Sequence, residues 1–498
     1  MKKFLLVLGI VGALFTFYQF SNSSLIGDDD VYWHIRYSAN ILTTQHLGLK
    51  FFGDPIPYAG VLFHLVLAPF TLIPNLFIAQ KIAGIFFVLL VAALSYLLFK
   101  KINVRYPELL TILLFLLSVN FSFRLLLVRT FLISIILLLA GVYCFLQKKY
   151  WLLYFVAVAY ALSYSVPFLL ALAGLWVFAQ LIVLPRKEVD WRVILIVAAG
   201  LITGTMLHPV FPQNIIFLKN YLLPVFYKVP YQNLGGGIEL APFTLAQFIK
   251  YEWMISVVWF FSIAVFIKNY FSQKEKMEKL FFILTSVMFF VLAVLSRRFI
   301  EYWALFAGLS AFYVFKPFLA QISYAKFKEN FVTVWQLKLA AVVFLAALSL
   351  GVLNNVLTVH SWAQTSPSIL PYEQSGKWLS ENIPSGSTVL NSDWTLYPKL
   401  YFYNSSVNYI AEFDPAYLYL KSQDLYSKWS GIANEREEEW GSIMDFHKTV
   451  QEDFKAQYLV IKTYQNVKLK AFINDNDLKH IYFDQVYSDD TLTVYKVN

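Results

Sequence analysis

Charge is what this sequence has least of. Only 14% of its 498 residues are Asp, Glu, Lys or Arg, against about 25% in a soluble globular protein. So few charged groups cannot cover a core built from 58% hydrophobic residues, and a water-soluble globe is excluded in favour of an integral membrane protein. Cysteine is the next shortage. Cys144 stands alone, so no disulfide forms within the chain, and its apolar surroundings read as a small buried hydrophobe. Several motifs are also missing. There is no Walker loop, no HExxH, no GxSxG and no Gly-rich dinucleotide turn in a usable context, which removes the chemistries those motifs serve. The three glycines at 235–237 have no adjacent strand–helix unit and read as a loop feature.

What is present is a set of long apolar runs, with aromatics at 18%, as expected where many segments end at the headgroup level. A spanning helix takes about 20 apolar residues. The runs near 4–20, 77–99, 107–121, 126–146, 150–163, 167–184, 191–207, 253–269, 280–296, 302–320 and 336–357 predict about eleven spans. The first run has the basic start of a signal peptide but bulky Phe, Tyr and Gln at its exit, and reads as a retained span. With the N-terminus inside, every cytoplasmic loop is basic: Lys2 and Lys3, "KKINVR", "QKK", "PRKEVDWR", "KNYFSQKEKMEK" and "KFKEN". An odd count puts the C-terminal segment outside, together with a first external loop at about 21–76 and a second at about 208–250. The run 61–74 is too short and Pro-bounded to span and reads as an interfacial helix.

The net charge of +9 divides unevenly. Residues 1–359 carry 28 basic against 13 acidic side chains, and residues 360–498 carry 12 against 18. The basic excess lies in loops on one membrane face, so nucleic acid is not an expected partner. The expected fold class is an α-helical polytopic membrane domain, 1–359, followed by a soluble extracytoplasmic α/β domain, 360–498. In that domain "STVLNS", "VNYIAEF", "QYLVIKT", "IYFDQVYS" and "LTVYKVN" read as strands. "YEQSGKWLSENI" and "AYLYLKSQDLYSKWSGI" read as helices.

Two groups of charges stand against the general trend. Arg124, Arg129, Arg297 and Arg298 lie at turns assigned to the outer face, where the inside bias should have removed them. They read either as helix-end snorkels and an i,i+4 pair of Arg297 with Glu301, or as an anion site, since guanidinium binds phosphate bidentately. The other group is the acidic run Asp28–Asp30 in "SLIGDDDVYWHIRYSANIL". One or two aspartates suffice to cap a helix over roughly 30–42. The surplus points to a base or a cation site, with Asp30 and His34 on one helix face and Asp29 and Trp33 on the next. Asp29, Asp30 and His34 could bind Mg²⁺ or Mn²⁺ without forming a specific metal signature.

"DVYWHIR" at 30–36 resembles the "DPYYHLR"-type segment in the first external loop of oligosaccharyltransferase catalytic subunits. More broadly, the chain resembles the GT-C superfamily of membrane glycosyltransferases. "SRRFIEYW", "HPVFPQN", "VLNSDWTLYPKLYFY" and "EFDPAYLY" are similar to other stretches of that group. The acceptor signature "WWDYG" is absent, "SDWTLYP" at 392–398 being a distant echo, and so is the "DE" start of protein O-mannosyltransferases. The resemblance implies a polyprenyl-phosphate-linked sugar donor and a glycan, lipid or protein acceptor. It implies Asp30, with Asp29 behind it, as general base or acceptor and metal ligand. His34, Arg36 and Trp33 would support them, and Arg297, Arg298, Arg129 and Arg124 would hold the donor phosphate beside Glu301. The absence of cysteine from the external domain leans away from a disulfide-using lumen, so a bacterial or archaeal cell membrane is expected. Two rival functions fit the same sequence: a lipid-linked sugar transporter or flippase, and a non-catalytic assembly or binding protein on the GT-C fold.

Overall fold

The computed structural model describes residues 1–27, 29–44, 49–51, 54–56, 60–217, 219, 241–272, 275–321, 335–412, 415–477 and 479–498. The chain forms two compact units. One contains Met1–Ile26, Lys81–Met206 and Gly237–Ser366; the other contains Gly27–Gln80, Leu207–Gly236 and Pro367–Asn498. The first external loop is grouped by its contacts with the C-terminal segment. Asp28, the glycines at 235–237 and the "KFKEN" loop lie outside the described residues.

In chain order the principal helices are α1 (Lys2–Gln19), α2 (Asp30–Thr44), α3 (Val61–Leu67), α4 (Leu76–Lys101), α5 (Pro107–Leu114), α6 (Val119–Arg124), α7 (Thr130–Gln147), α8 (Tyr150–Ser163), α9 (Phe168–Val183), α10 (Arg192–Met206), α11 (Leu245–Lys268), α12 (Lys276–Leu295), α13 (Ile300–Val314), α14 (Trp335–Gln364), α15 (Glu373–Asn382), α16 (Tyr397–Tyr403) and α17 (Val467–Asn476). Among the described residues five of them, α1, α4, α7, α11 and α12, are long and apolar enough to cross a membrane. The protein is an integral membrane protein.

Local chemistry sets the ends of these helices. Asn75 Oδ1 accepts the amides of Phe77 and Ile78 where α4 begins, and Lys100 and Lys101 close its last turn. Thr244 and Gln247 form a reciprocal capping box at the start of α11. The run 107–121, expected as one span, is broken into α5 and α6. Ser118 sits in extended backbone between them and its hydroxyl accepts the Phe121 amide at 2.9 Å. The expected span 302–320 likewise ends at Val314, with a separate helix over Lys316–Gln321. In the first unit α13 is buried along its whole length, so a residue at its start is fixed by packing from all sides.

The second unit is built on a five-stranded mixed sheet. Its strands are β3 (Thr388–Asn391), β4 (Asn408–Tyr409), β5 (Tyr458–Lys462), β6 (Phe483–Ser488) and β7 (Leu492–Val497), in the order β4-β3-β5-β7-β6. The first three run parallel, and β7 is antiparallel to both neighbours. A separate two-stranded ribbon joins β1 (Leu49–Phe51) to β2 (Asp54–Ile56). "VNYIAEF", expected as a full strand, supplies only the two residues of β4. The long helix expected over 416–432 is interrupted at Ser422, whose hydroxyl accepts the Leu425 amide. The core of the sheet includes Trp33, Tyr37 and Ile41 from α2, together with Leu390, Tyr397, Tyr409, Val460 and Tyr495. The run expected as an interfacial helix forms α3 followed by a 3₁₀ turn over Ala68–Leu72, twelve residues of helix where a span needs about 20.

Candidate active site

In the first unit, Arg124, Arg129 and Arg298 line one pocket with Thr130, Phe131, Tyr164 and Glu301. Arg124 closes α6, Arg129 is the N-cap of α7, and Arg298 lies in the 3₁₀ turn that leads into α13. Glu301 sits in the first turn of α13 and is wholly buried. Its two oxygens accept Arg124 Nε at 3.0 Å and Nη2 at 3.3 Å. The Arg124 guanidinium also lies over the Phe131 ring, 4.9 Å from its centroid. Three guanidiniums and one carboxylate leave the pocket with a formal charge of +2, concentrated in a protein wall of low polarisability. Such a surface suits a phosphate or another compact anion.

Arg297 is not part of this pocket. Its amide donates to Ala241 O, its Nε to Pro242 O and its Nη2 to Gln247 Oε1 at 3.0 Å, and its guanidinium covers Phe243. The i,i+4 pair expected between Arg297 and Glu301 does not form. Arg297 is spent on the start of α11, while Glu301 takes Arg124. A second buried glutamate, Glu252 of α11, receives the Asn120 amide at 3.2 Å and its side-chain nitrogen at 2.8 Å. The short α6 is thus gripped near its start by Glu252 and at its end by Glu301.

In the second unit, α2 begins at Asp30, and Asp29 and Asp30 are half-buried. Asp29 Oδ2 pairs with Lys399 Nζ of α16 at 2.9 Å, and that ammonium lies over the Tyr372 ring. Further contacts follow along α2. Trp33 Nε1 donates to Tyr397 OH at 3.1 Å, Arg36 Nε donates to Phe402 O at 2.6 Å, and Asn40 Nδ2 donates to Tyr401 OH at 3.0 Å. Burial lowers the pKa of Arg36 from its ordinary value. Trp33 stacks on Tyr37 with ring planes 5° apart. His34 Nδ1 and His64 Nε2 are 2.9 Å apart, and His64 Nδ1 donates to Gly60 O at 2.8 Å. Burial pushes the His64 pKa down to about 3, against a smaller opposing effect of the Gly60 carbonyl. The imidazole is therefore neutral at pH 7, its Nε2 acting as the acceptor for His34.

This arrangement does not fit the expected metal set of Asp29, Asp30 and His34. Asp29 is engaged by an ammonium and His34 Nδ1 by a second imidazole. Among the described residues no three His, Cys, Asp or Glu side chains come together as metal ligands.

No family model matches the sequence, and no curated protein matches it. Solved structures do. The apo oligosaccharyltransferase of Archaeoglobus fulgidus aligns with a TM-score of 0.66 at 12% identity, over 99% of this chain and 74% of that one. ArnT from Cupriavidus metallidurans, in its crystal structure with undecaprenyl phosphate, aligns with a TM-score of 0.55 at 11% identity, over 99% and 97%. The mycobacterial arabinofuranosyltransferase AftD aligns with a TM-score of 0.56 at 12% identity, over 99% of this chain and 40% of AftD. This chain has the GT-C fold.

On this GT-C fold the structure brings three of the four expected arginines to one pocket with Glu301 and sends Arg297 elsewhere. It sets Asp29, Trp33 and Arg36 against α16 and His34 against His64. Sequence reasoning missed Lys399, Tyr397, His64 and Glu252. The signal for Lys399 and Tyr397 lay in "SDWTLYPKLYFY", a stretch already compared with external domains. Within it Asp393 pairs with Lys462 and accepts the Thr395 amide at 2.7 Å. Burial raises the Asp393 pKa, but the lysine and those hydrogen bonds outweigh it, and the net shift is downward. His64 gave no signal, since it is one polar letter in an apolar run, and neither did Glu252, two residues after Lys250 ahead of one.

Proposed function

We propose that the protein is a membrane glycosyltransferase that moves a sugar from a polyprenyl-phosphate carrier to an acceptor hydroxyl on the extracytoplasmic face. The observation that carries the reading is the pocket of Arg124, Arg129 and Arg298 around Glu301 in a chain with the GT-C fold. ArnT, which shares that fold, has been crystallised with undecaprenyl phosphate. In this reading the acceptor oxygen attacks the anomeric carbon, and the bond from that carbon to the phosphate oxygen breaks. The electron pair departs on the phosphate. Arg129 and Arg298 face the charge that grows there, while Arg124, held by Glu301, fixes the wall and adds to the field. The task of taking the acceptor proton is carried to Asp30 by the resemblance of its segment alone. Asp29 is less suited to that task, because its carboxylate is paired with Lys399 of α16. The eleven-span topology, with an inner N-terminus and an outer C-terminal segment in a bacterial or archaeal cell membrane, belongs to the same proposal.

The test is transfer from a panel of undecaprenyl-phosphate sugars by the purified protein in liposomes. Asp30→Asn and Arg298→Ala are expected to lower the rate about 100-fold or more, the weight of one such group at a developing charge. Full activity in both variants, or no transfer from any donor by a well-folded protein that still binds undecaprenyl phosphate, would leave a binding or assembly role.

A further inference from the structure

In the first unit two connections meet. Lys148 and Lys149 join α7 to α8, and residues 184–191 join α9 to α10. Tyr150 OH donates to Asp190, Arg192 Nε donates to the same carboxylate at 2.8 Å, and the Arg192 guanidinium covers the Tyr150 ring at 4.9 Å. These contacts bring the starts of α8 and α10 to one rim. Lys148, Lys149, Arg186, Lys187 and Arg192 are all exposed there. Only Glu188 and Asp190 oppose them on these connections, and Asp190 is engaged by Arg192 and Tyr150. The rim keeps a net charge of +3.

Exposed apolar groups lie directly beside the cations. Trp151 is 81% exposed and Trp191 is 52% exposed. Further along the same helices Leu152, Phe155 and Leu195 are also exposed. A soluble acidic protein would satisfy the cations but leave that apolar flank in water. One leaflet of a bilayer satisfies both, with headgroup phosphates at the cations, indoles at the headgroup level and acyl chains along Phe155 and Leu195. We infer that this rim is a binding surface for anionic lipid headgroups, anchored by Trp151 and Trp191. The lysine distribution assigns it to the inner leaflet. The inference is independent of the proposed transferase reaction and needs no turnover to be tested.

The experiment uses the full-length protein in mixed vesicles of phosphatidylglycerol and phosphatidylcholine, with one or the other lipid brominated, and reads tryptophan quenching. Quenching by the anionic lipid is expected to exceed that by the zwitterionic one. In a K148S/K149S/R186S/K187S variant the preference should fall, by up to about fivefold for each cation removed at low ionic strength. In W151F/W191F the difference in quenching should shrink, the other eleven tryptophans being common to both proteins. Should the fourfold variant fail to fold, the native protein in ~1 M salt, where screening acts within about 3 Å, should lose the preference. Equal quenching by the two lipids in the native protein would overturn the inference. So would a preference that survives high salt, or one that remains in full without Trp151 and Trp191.

Discussion

Glu301 and Arg124 form a buried pair whose members are far apart in sequence and each dependent on the other. Removing one charge takes a buried, hydrogen-bonded counter-charge from the other, and breaking such pairs typically costs about 3–5 kcal/mol. Glu301→Ala is therefore expected to lower the thermal unfolding midpoint sharply, while Glu301→Gln, which can still accept from Arg124, should lower it less. A second residue-scale prediction concerns pH. Burial raises the pKa of Glu412 well above its ordinary 4.5, and one of its buried oxygens has no hydrogen-bond partner. Folded, it keeps a proton that the unfolded chain releases above 4.5, so its contribution declines as pH rises beyond that point. His64 works in the other direction. Its folded pKa of about 3 lies below the ordinary 6.5, so the unfolded chain takes up a proton as pH falls below 6.5 and stability declines. Between 4.5 and 6.5 the two slopes, each about 1.4 kcal/mol per pH unit, oppose one another. These two groups alone predict a plateau there and a fall on either side. Glu412→Gln should flatten the alkaline limb and His64→Gln the acid limb, as read by unfolding midpoints across pH.

Helices α8 and α10 meet through Gly200 and Gly204, four residues apart on α10. A Cβ at Gly200 would stand 2.6 Å from Ala157 Cβ and 2.7 Å from Tyr154 O; at Gly204 it would stand 2.5 Å from Val158 O. Backbone atoms of α8 cannot swing aside as a side-chain tip can, so the helices must part. Gly204→Val is expected to cost about 1–3 kcal/mol, the usual range for overpacking, and to widen a spin-label distance between the two helices. At this scale the sequence was most informative where a rule is local. Long, predominantly apolar runs marked α4, α7 and α12, and short runs of β-branched and aromatic residues marked β5 and β7. The break between α5 and α6 escaped because Ser118 is a single small residue in an apolar context, and its capping role needs the Phe121 amide in place. The site was legible as a set of residue types, with arginines where an inner-face bias should have removed them. Its pairing was not legible, because Arg124 meets Glu301 across 177 positions and Asp29 meets Lys399 across a still longer separation. No periodicity encodes such meetings; packing decides them, as it decided that Arg297 should hold α11.

The whole molecule is cut by contacts in a way that chain order does not suggest. Its second unit gathers Gly27–Gln80, Leu207–Gly236 and Pro367–Asn498 into one body. Along α2, Trp33, Arg36 and Asn40 all bond to α16, so α2 belongs to the core of a domain whose sheet comes last in the sequence. Replacing Lys399 with Met should loosen α2 without affecting the spans. Hydrogen exchange is expected to rise over 30–44 and stay unchanged over 130–147; a rise in both would mean that the effect is global.

The same interleaving imposes a timetable on biosynthesis. The polymerising ribosome delivers α2 first and α16 some 350 residues later, an interval of roughly 20–70 s at about 5–20 residues per second. Throughout that time Trp33 and Tyr37 have no sheet to bury them. The newborn first loop is therefore a client for whatever holds unfinished segments at the membrane, and a nascent chain arrested before residue 397 should be cut by protease within 30–44, where the completed protein resists.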